Sequence, residues 1–209
     1  TMPIWILRDN QALAAQNPIT GQVYGFRHVA PATSGGNGTF AAPYGEVSDA
    51  TAVAQAGEII YVQPGNLTAG FTIPDGVQVL STAVQHALPT QFGPLVLPAS
   101  GSGLLTVLAG SVTLGSDTRL SGFAIDAGPQ QDGIQGNAIA GVWLDQNQIL
   151  TARNGILLNQ VSGDVHMAHN QVQTAAENGI LLNLAGLTLN TVDLVDNQVS
   201  NASGNGVLV

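Results

Sequence analysis

The sequence predicts an all-β chain folded as a right-handed parallel β-helix, a solenoid with a short N-terminal capping helix. Three observations predict it: a motif that returns at one-coil intervals, a second series in phase with it, and alternating apolar residues between them. The motif is Asn or Asp, then Gly, then Ile or Val, in four copies: Asp132-Gly133-Ile134, Asn154-Gly155-Ile156, Asn178-Gly179-Ile180 and Asn205-Gly206-Val207. The second series is Asn147-Gln148-Ile149, Asn170-Gln171-Val172 and Asn197-Gln198-Val199.

The spacing of the repeats is typical of a solenoid. The four copies of the motif are 22, 24 and 27 residues apart, as expected where a loop of variable length occupies one corner of each coil. Between the motifs the apolar residues have a period of two, which predicts strands with one buried face. The inward residues are Val142 and Leu144, Val165 and Met167, and Val192 and Leu194. An antiparallel sandwich would not need identical side chains at one-coil spacing, so the pattern favours the solenoid.

The chain divides into a lead-in and a series of coils. Residues 1–57 form the lead-in and cap, with a helix predicted over about 50–56 that starts at Ser48 or Asp49 and stops at Gly57. Residues 58–209 form the coils, and the Pro- and Gly-containing segment 82–103 is interpreted as a long excursion between two of them. Because the last residues still follow a strand pattern, we interpret the sequence as truncated at the C-terminus of a longer chain.

Composition excludes several classes of partner. The four Arg, no Lys and thirteen Asp plus Glu give a net charge of −9, so nucleic acid and anionic lipid are not expected partners. No apolar run is long enough for a membrane-spanning helix. Without Cys the chain has no disulfide or thiolate chemistry, and this leaves its compartment open. No metal spacing, phosphate loop or nucleophile elbow is visible, so no metal site and no cofactor are predicted.

The N-terminal third resembles a known superfamily. The segment Gly38-Thr39-Phe40-Ala41-Ala42-Pro43, the predicted helix, and Gly57-Glu58-Ile59-Ile60-Tyr61-Val62 resemble, in this order, the opening of pectate-lyase-like right-handed β-helix proteins. The preceding stretch, 8–21, looks most like passenger regions of bacterial surface proteins of the autotransporter or inverse-autotransporter kind. This resemblance implies a location that is extracellular or associated with the outer membrane or cell surface. It does not fix an activity, because the same solenoid hosts lyases, glycosidases and adhesins.

The catalytic sets of the enzymes with this fold are not found. Lyases use cationic residues, but none of the four Arg lies in the R-x-P-x-x-R arrangement, and in the lyase-like segment 142–146 Gln146 stands where that family has His. Glycosidases need neighbouring carboxylates, whereas the repeat register aligns Asp145 with Ala168 and Val195. A pair formed by Asp126 and Asp132 stays open, because the register across the residues between them is not assigned. No catalytic residue is predicted.

One outward column is the candidate binding site. Trp143, His166 and Asp193 fall at equivalent positions of three coils, and an aromatic face, an imidazole and a carboxylate in line could hold a sugar. Asp145, on the same strand as Trp143, is added to this candidate ligand-binding set. The alternative interpretation is a solvated face with an incidental contact between His166 and Asp193. An offset pair, His169 and Asp196, has the same two interpretations.

Other aligned residues have structural interpretations. A column of Leu157, Leu181 and Leu208 either belongs to a wider core or is exposed and mediates self-association. Two Asn columns are expected to stabilise coil corners, because Asn tolerates the left-handed conformation and can bond to its copy in the next coil: Asn137, Asn159, Asn183 and Asn154, Asn178, Asn205. Arg153 and Glu177 are expected to form a surface ion pair. His28 and His86 are expected at the surface or in turns.

Two hypotheses about function follow. The first is a non-catalytic extracellular β-helix module of a bacterial surface or secreted protein. It would act as an adhesin or rigid stalk that contacts carbohydrate or the surface of a host or neighbouring cell. The second is a polysaccharide-active enzyme, a lyase or glycoside hydrolase, whose site is completed by residues outside this segment or by the 82–103 excursion.

Overall fold

The protein is mostly β-strand, with one short helix among the residues described. The computed structural model describes residues 2–184 and 189–209. Three long parallel sheets, here called sheets 1, 2 and 3, contain most of the strands. The all-β prediction with parallel pairing is therefore confirmed.

Sheet 1 has eight strands, and all neighbours are parallel except the first pair. In spatial order its strands are Met2–Pro3, Gly25–Val29, Glu58–Val62, Gln78–Ser81, Thr118–Ser121, Ala140–Asp145, Ser162–Ala168 and Leu189–Val195. Sheet 2 consists of Asn66–Leu67, Thr106–Ala109, Phe123–Asp126, Gln148–Thr151, Gln171–Val172 and Gln198–Val199. Sheet 3 consists of Phe71–Ile73, Val112–Leu114, Ile134–Asn137, Ile156–Asn159, Ile180–Asn183 and Val207–Leu208.

From residue 58 onward the chain visits the three sheets in a fixed order. Each strand of sheet 1 is followed by one of sheet 2 and one of sheet 3, and the next strand of sheet 1 lies beside the previous one. The register follows the sequence repeat: Trp143 lies opposite His166, which lies opposite Asp193. Asp145 lies opposite Ala168, so the predicted separation of carboxylates is confirmed.

The main core lies between the three sheets and is built by the alternation seen in the sequence. Val142, Leu144, Val165 and Met167 are all buried, as predicted. Leu194, predicted to point inward, is 38% exposed because its strand is the last of sheet 1 and has a neighbour on one side only.

The helix packs against strands at the start of sheets 1 and 3 but does not have its predicted bounds. It spans Val47–Thr51 rather than 50–56, with Glu46 at the N-cap position instead of Ser48 or Asp49. The buried side chains of Val47 and Ala50 pack into the main core, and this packing sets the position of the helix. Local capping preference is worth about 1 kcal/mol, less than the burial of two apolar side chains, so packing overrides it.

A second core lies on the outer face of sheet 1, over its first strands. The 82–103 excursion forms an antiparallel hairpin, Ala87–Thr90 with Gly93–Val96, and a second hairpin pairs Trp5–Arg8 with Gln11–Ala14. This core consists of Ala15, Tyr24, Phe26, Ile59, Tyr61, Leu80, Leu88 and Leu97. The excursion predicted from the sequence therefore covers one face of the sheet in the first coils and leaves the later coils uncovered.

His86 lies inside the excursion, and the expectation of a surface or turn position was wrong. The residue is fully buried, and its Nε2 lies 2.8 Å from the carbonyl oxygen of Ser81. Its Nδ1 has no hydrogen-bond partner among the described residues. Burial lowers the pKa of His86, and the charged groups that act on it are Arg119, which lowers the pKa further, and Asp145, which opposes it.

The buried imidazole predicts a stability that falls in mild acid. The unfolded chain takes up a proton at the ordinary histidine pKa, whereas the folded chain resists protonation. Above that ordinary pKa His86 is neutral in both states and does not reduce the free energy of unfolding. The free energy of unfolding decreases as the pH falls from the ordinary pKa towards the lowered pKa of the folded state. Denaturant unfolding between pH 7.5 and about 5 should show this decrease, and His86→Gln should reduce it.

Two further variants control the pH experiment. Burial also lowers the pKa of His28, which packs against the rings of Phe40 and Tyr61, so His28→Gln should reduce the decrease as well. Asn159→Ala changes no titratable group and should leave the pH dependence as it is. An identical decrease in the parent chain and in His86→Gln would show that His86 does not couple folding to pH.

Asparagine ladders hold the corners between sheets. At the corner from sheet 1 to sheet 2, Asn170 donates its side-chain amide to the carbonyl of Leu144 and to Asn197 Oδ1, each at 2.9 Å. Its own Oδ1 accepts the backbone N–H and the side-chain amide of Asn147. This ladder is largely buried. The two ladders predicted from the sequence are also present, one through Asn154, Asn178 and Asn205 and an exposed one through Asn137, Asn159 and Asn183.

The left-handed residue at these corners is the neighbour of the Asn rather than the Asn itself. Gln146, His169 and Asp196, each directly before an Asn of the buried ladder, have φ between 50° and 56°. In a ladder predicted from the sequence, Ala138 and Gln160, directly after Asn137 and Asn159, have φ of 53° and 54°. The expected reason for Asn at the corner is therefore only half right. Its hydrogen-bonding amide, and not its tolerance of positive φ, accounts for its place.

The buried and exposed ladders should differ in their contribution to stability. Asn170→Ala removes four hydrogen bonds at a fully buried position, and we expect a loss of about 3 kcal/mol in the free energy of unfolding. Asn159→Ala removes the exposed counterpart and should cost about 0.5 kcal/mol or less. Equal losses in urea unfolding would contradict a dominant role for the buried ladder.

Candidate functional site

A groove of about 840 Å³ lies on the outer face of sheet 1, where the cover formed by the excursion ends. One wall is Ala87, Leu88 and Pro89 of the excursion hairpin, held to the lead-in by the Tyr24 hydroxyl, which donates to the Pro89 carbonyl at 2.8 Å. The floor consists of outward side chains from the last four strands of sheet 1. The second core therefore determines where the groove begins.

The candidate column lies along this floor. Trp143 is 48% exposed, and its ring centroid is 4.4 Å from that of His166 at an interplanar angle of 47°. His166 Nδ1 lies 2.8 Å from Asp193 Oδ2. The structure thus brings together all three residues of the column, and it places them in a concave site. Ligand binding by this column stays a prediction.

Arg119 extends the column by one coil and was missed in the sequence. It lies directly opposite Trp143, and its guanidinium carbon is 5.4 Å from the centre of the Trp143 ring. The signal that could have found it is the interval of 24 residues from Trp143, within the range of the repeat. The repeated motifs begin only after this coil, so they do not extend the predicted column to Arg119.

Asp145 has a structural role in the geometry observed, which differs from its predicted place among the ligand-binding residues. Asp145 is 6% exposed. Arg119 donates to both of its carboxylate oxygens, from Nε to Oδ1 at 3.0 Å and from Nη2 to Oδ2 at 3.1 Å. Ser121 Oγ also donates to Oδ2 at 2.7 Å. Through these bonds Asp145 orients Arg119 beside the Trp143 ring. Ligand binding by Asp145 itself stays a prediction.

Asp132 and Asp126, the carboxylate pair left open by the sequence, have different surroundings. The buried carboxylate of Asp132 bonds to Arg153 and Asn154, whereas Asp126 is exposed at the end of a sheet 2 strand. Burial alone would raise the pKa of Asp132, but the hydrogen bonds from Arg153 and Asn154 outweigh it and hold the pKa below its ordinary value. The carboxylate is therefore ionised at neutral pH and cannot act as a general acid.

The predicted partner of Arg153, Glu177, was wrong, because Arg153 pairs with Asp132 instead. Arg153 turns to the buried Asp132 in the preceding coil, while Glu177 accepts a hydrogen bond from Asn154. A buried carboxylate needs a cation more than an exposed one does, and this decides the partner.

The remaining aligned residues are partly exposed. Leu157 and Leu181 are half-buried and Leu208 is 42% exposed, and the three lie opposite one another in sheet 3. Self-association through them stays a prediction. His169 Nδ1 lies 3.7 Å from Asp196 Oδ2, and both side chains are largely exposed.

Over residues 2–184 and 189–209 there is no cluster of three or more His, Cys, Asp or Glu that could hold a metal ion. No helix in the same ranges is long and apolar enough to cross a membrane.

Comparisons with known proteins give one weak likeness. No protein-family model matches the chain, and no curated protein matches it. Among solved structures, a rhamnogalacturonan lyase is similar with a TM-score of 0.41 and 10% sequence identity, over 87% of this chain and 62% of that chain. The chain therefore spans less than two thirds of that protein. A likeness of this size carries no argument about activity.

Proposed function

We propose that the chain is a right-handed parallel β-helix and serves as a non-catalytic carbohydrate-binding module of a secreted or cell-surface bacterial protein. The fixed order in which the chain visits the three sheets supports the solenoid, as do the ladders that join equivalent residues of successive coils. The extracellular location and the role as adhesin or rigid stalk are parts of this proposal. They rest on the N-terminal resemblance.

The observation that carries the binding proposal is the position of Trp143 in the groove. An indole face that is half exposed and held between Arg119 and His166 offers a flat apolar platform, and sugar rings present an apolar C–H face to such platforms. Holding the indole in place beforehand lowers the entropy lost on binding.

Polar groups lie at one end of the platform. The His166 and Asp193 pair can exchange hydrogen bonds with sugar hydroxyls, and Thr191 lines the same part of the groove. A concave site with an apolar centre and a few convergent polar groups is the usual form of a small-ligand site. The groove runs across at least four coils, which at about 4.8 Å per coil matches an extended chain of several sugar units.

Trp143→Ala should weaken glycan binding and leave the fold intact. Losing the stacking platform should weaken binding by about 2 kcal/mol, or roughly thirtyfold. Affinity electrophoresis against a glycan panel measures the change, and circular dichroism checks the fold. Trp5→Ala is the matched control, because it removes the other Trp of the chain, which is 61% exposed and lies outside the groove.

Intrinsic fluorescence gives an independent readout of the same prediction. In a Trp5→Phe background all indole emission comes from Trp143, so a bound sugar should shift or quench it. A glycan that binds without changing this emission, and binds equally to Trp143→Ala, would remove the platform from the site.

An enzymatic function is the second candidate, and the His166 and Asp193 pair favours it. A carboxylate on Nδ1 orients the imidazole, as in sites where a histidine acts as general base through Nε2. The observation against it is the charge of the groove. Among the described lining residues the one permanent cation is Arg119, and it is already paired with Asp145.

We expect no turnover on acidic or neutral glycans. The measurements are the release of reducing sugar and the absorbance of unsaturated products, which detect hydrolysis and elimination separately. Turnover that disappears in His166→Gln, with glycan binding retained, would overturn the non-catalytic assignment and make His166 the base.

A further inference from the structure

The charges around the groove are predominantly negative. Among the described residues that line it, three are carboxylates, Asp117, Asp164 and Asp193, and one is a permanent cation, Arg119. Asp117 and Asp164 are exposed. The guanidinium of Arg119 is neutralised by the bidentate pair with Asp145, so it offers little attraction to an incoming anion.

The rest of the chain supplies no cation to compensate. It has four Arg and no Lys, and Arg27 and Arg153 are paired with Glu58 and Asp132. Arg8 lies over the ring of Phe92 at 4.9 Å and does not line the groove.

The two exposed carboxylates lie at or near the start of their strands in sheet 1. Asp117 adopts φ 54°, and a Cβ added to Gly141 in the next coil would lie 2.2 Å from Asp117 Oδ1, so the carboxylate packs directly over that glycine. Asp164 lies at a register shift between Ser162–Ala168 and the following strand, an irregularity that redirects a side chain. An approaching anion therefore meets two negative charges on one side of the Trp143 platform.

We propose, building on the carbohydrate-binding role proposed above, that the groove binds uncharged glycans and rejects polyuronates. The platform of Trp143 stacks equally well on neutral and acidic sugars, so it does not discriminate between them. Discrimination comes from Asp117 and Asp164, because like charges brought together in a concave site cost free energy that no nearby cation repays.

The test compares pairs of polymers that differ only in charge. Each neutral polysaccharide of a panel, such as a glucan, a galactan and a mannan, is paired with its derivative oxidised at the primary hydroxyl to a uronate. The full chain should bind at least one neutral member about tenfold more tightly than its uronate partner at low salt. The ratio should shrink as salt is added, because the screening length falls below about 10 Å above 0.1 M. The assay is repeated with calcium chloride and with EDTA.

Charge variants locate the effect. Asp117→Asn combined with Asp164→Asn should raise affinity for the uronate polymer at least about fivefold and leave affinity for its neutral partner unchanged. The matched control is Asp9→Asn combined with Asp126→Asn, which removes the same net charge from two exposed positions outside the groove. The control should change uronate affinity less than about twofold, because distant charges are screened.

The outcomes separate this inference from the proposed function. Equal binding of both members of a pair, tighter binding of the uronate with or without calcium, or an equal effect of the two double variants would overturn the charge selectivity alone. Binding to no member of the panel, neutral or acidic, would overturn the carbohydrate-binding function and this inference together.

Discussion

The arrangement of the coils depends on the hydrogen-bonded ladder of buried asparagines at the corner between sheets 1 and 2. Asn147, Asn170 and Asn197 each use the side-chain amide to bond the backbone carbonyl of the preceding coil, and the first two also bond the next Asn. Such contacts fix both the distance between coils and their register. A slip of one residue would leave these amides unpaired and turn every inward side chain outward.

The candidate site follows from this register and from one asymmetry. The ladder places Arg119, Trp143, His166 and Asp193 in one line on the outer face of sheet 1. The excursion and lead-in cover that face only over the first strands, and the groove begins where their apolar core ends. The added hairpin supplies the wall that makes this face concave.

Because the chain has few charged residues, each of its ion pairs has a defined structural role. Of the four Arg residues, Arg27, Arg119 and Arg153 each make a bidentate contact with a carboxylate 21 to 31 residues away along the chain. These pairs occupy the cations that a site for acidic sugars would need. Stabilisation of the fold and the negative charge of the groove therefore have the same origin.

The sequence by itself determined the strand alternation, the register and the column of Trp143, His166 and Asp193, because a repeat at one-coil spacing converts positions into contacts. The tertiary structure decided the helix bounds, the burial of His86, and the pairing of Arg153 with Asp132. It also decided the engagement of Asp145 by Arg119. Each of these depends on segments outside the regular repeat or on competition among several partners for one charge. Such competition is settled by burial, which spacing along the chain does not report.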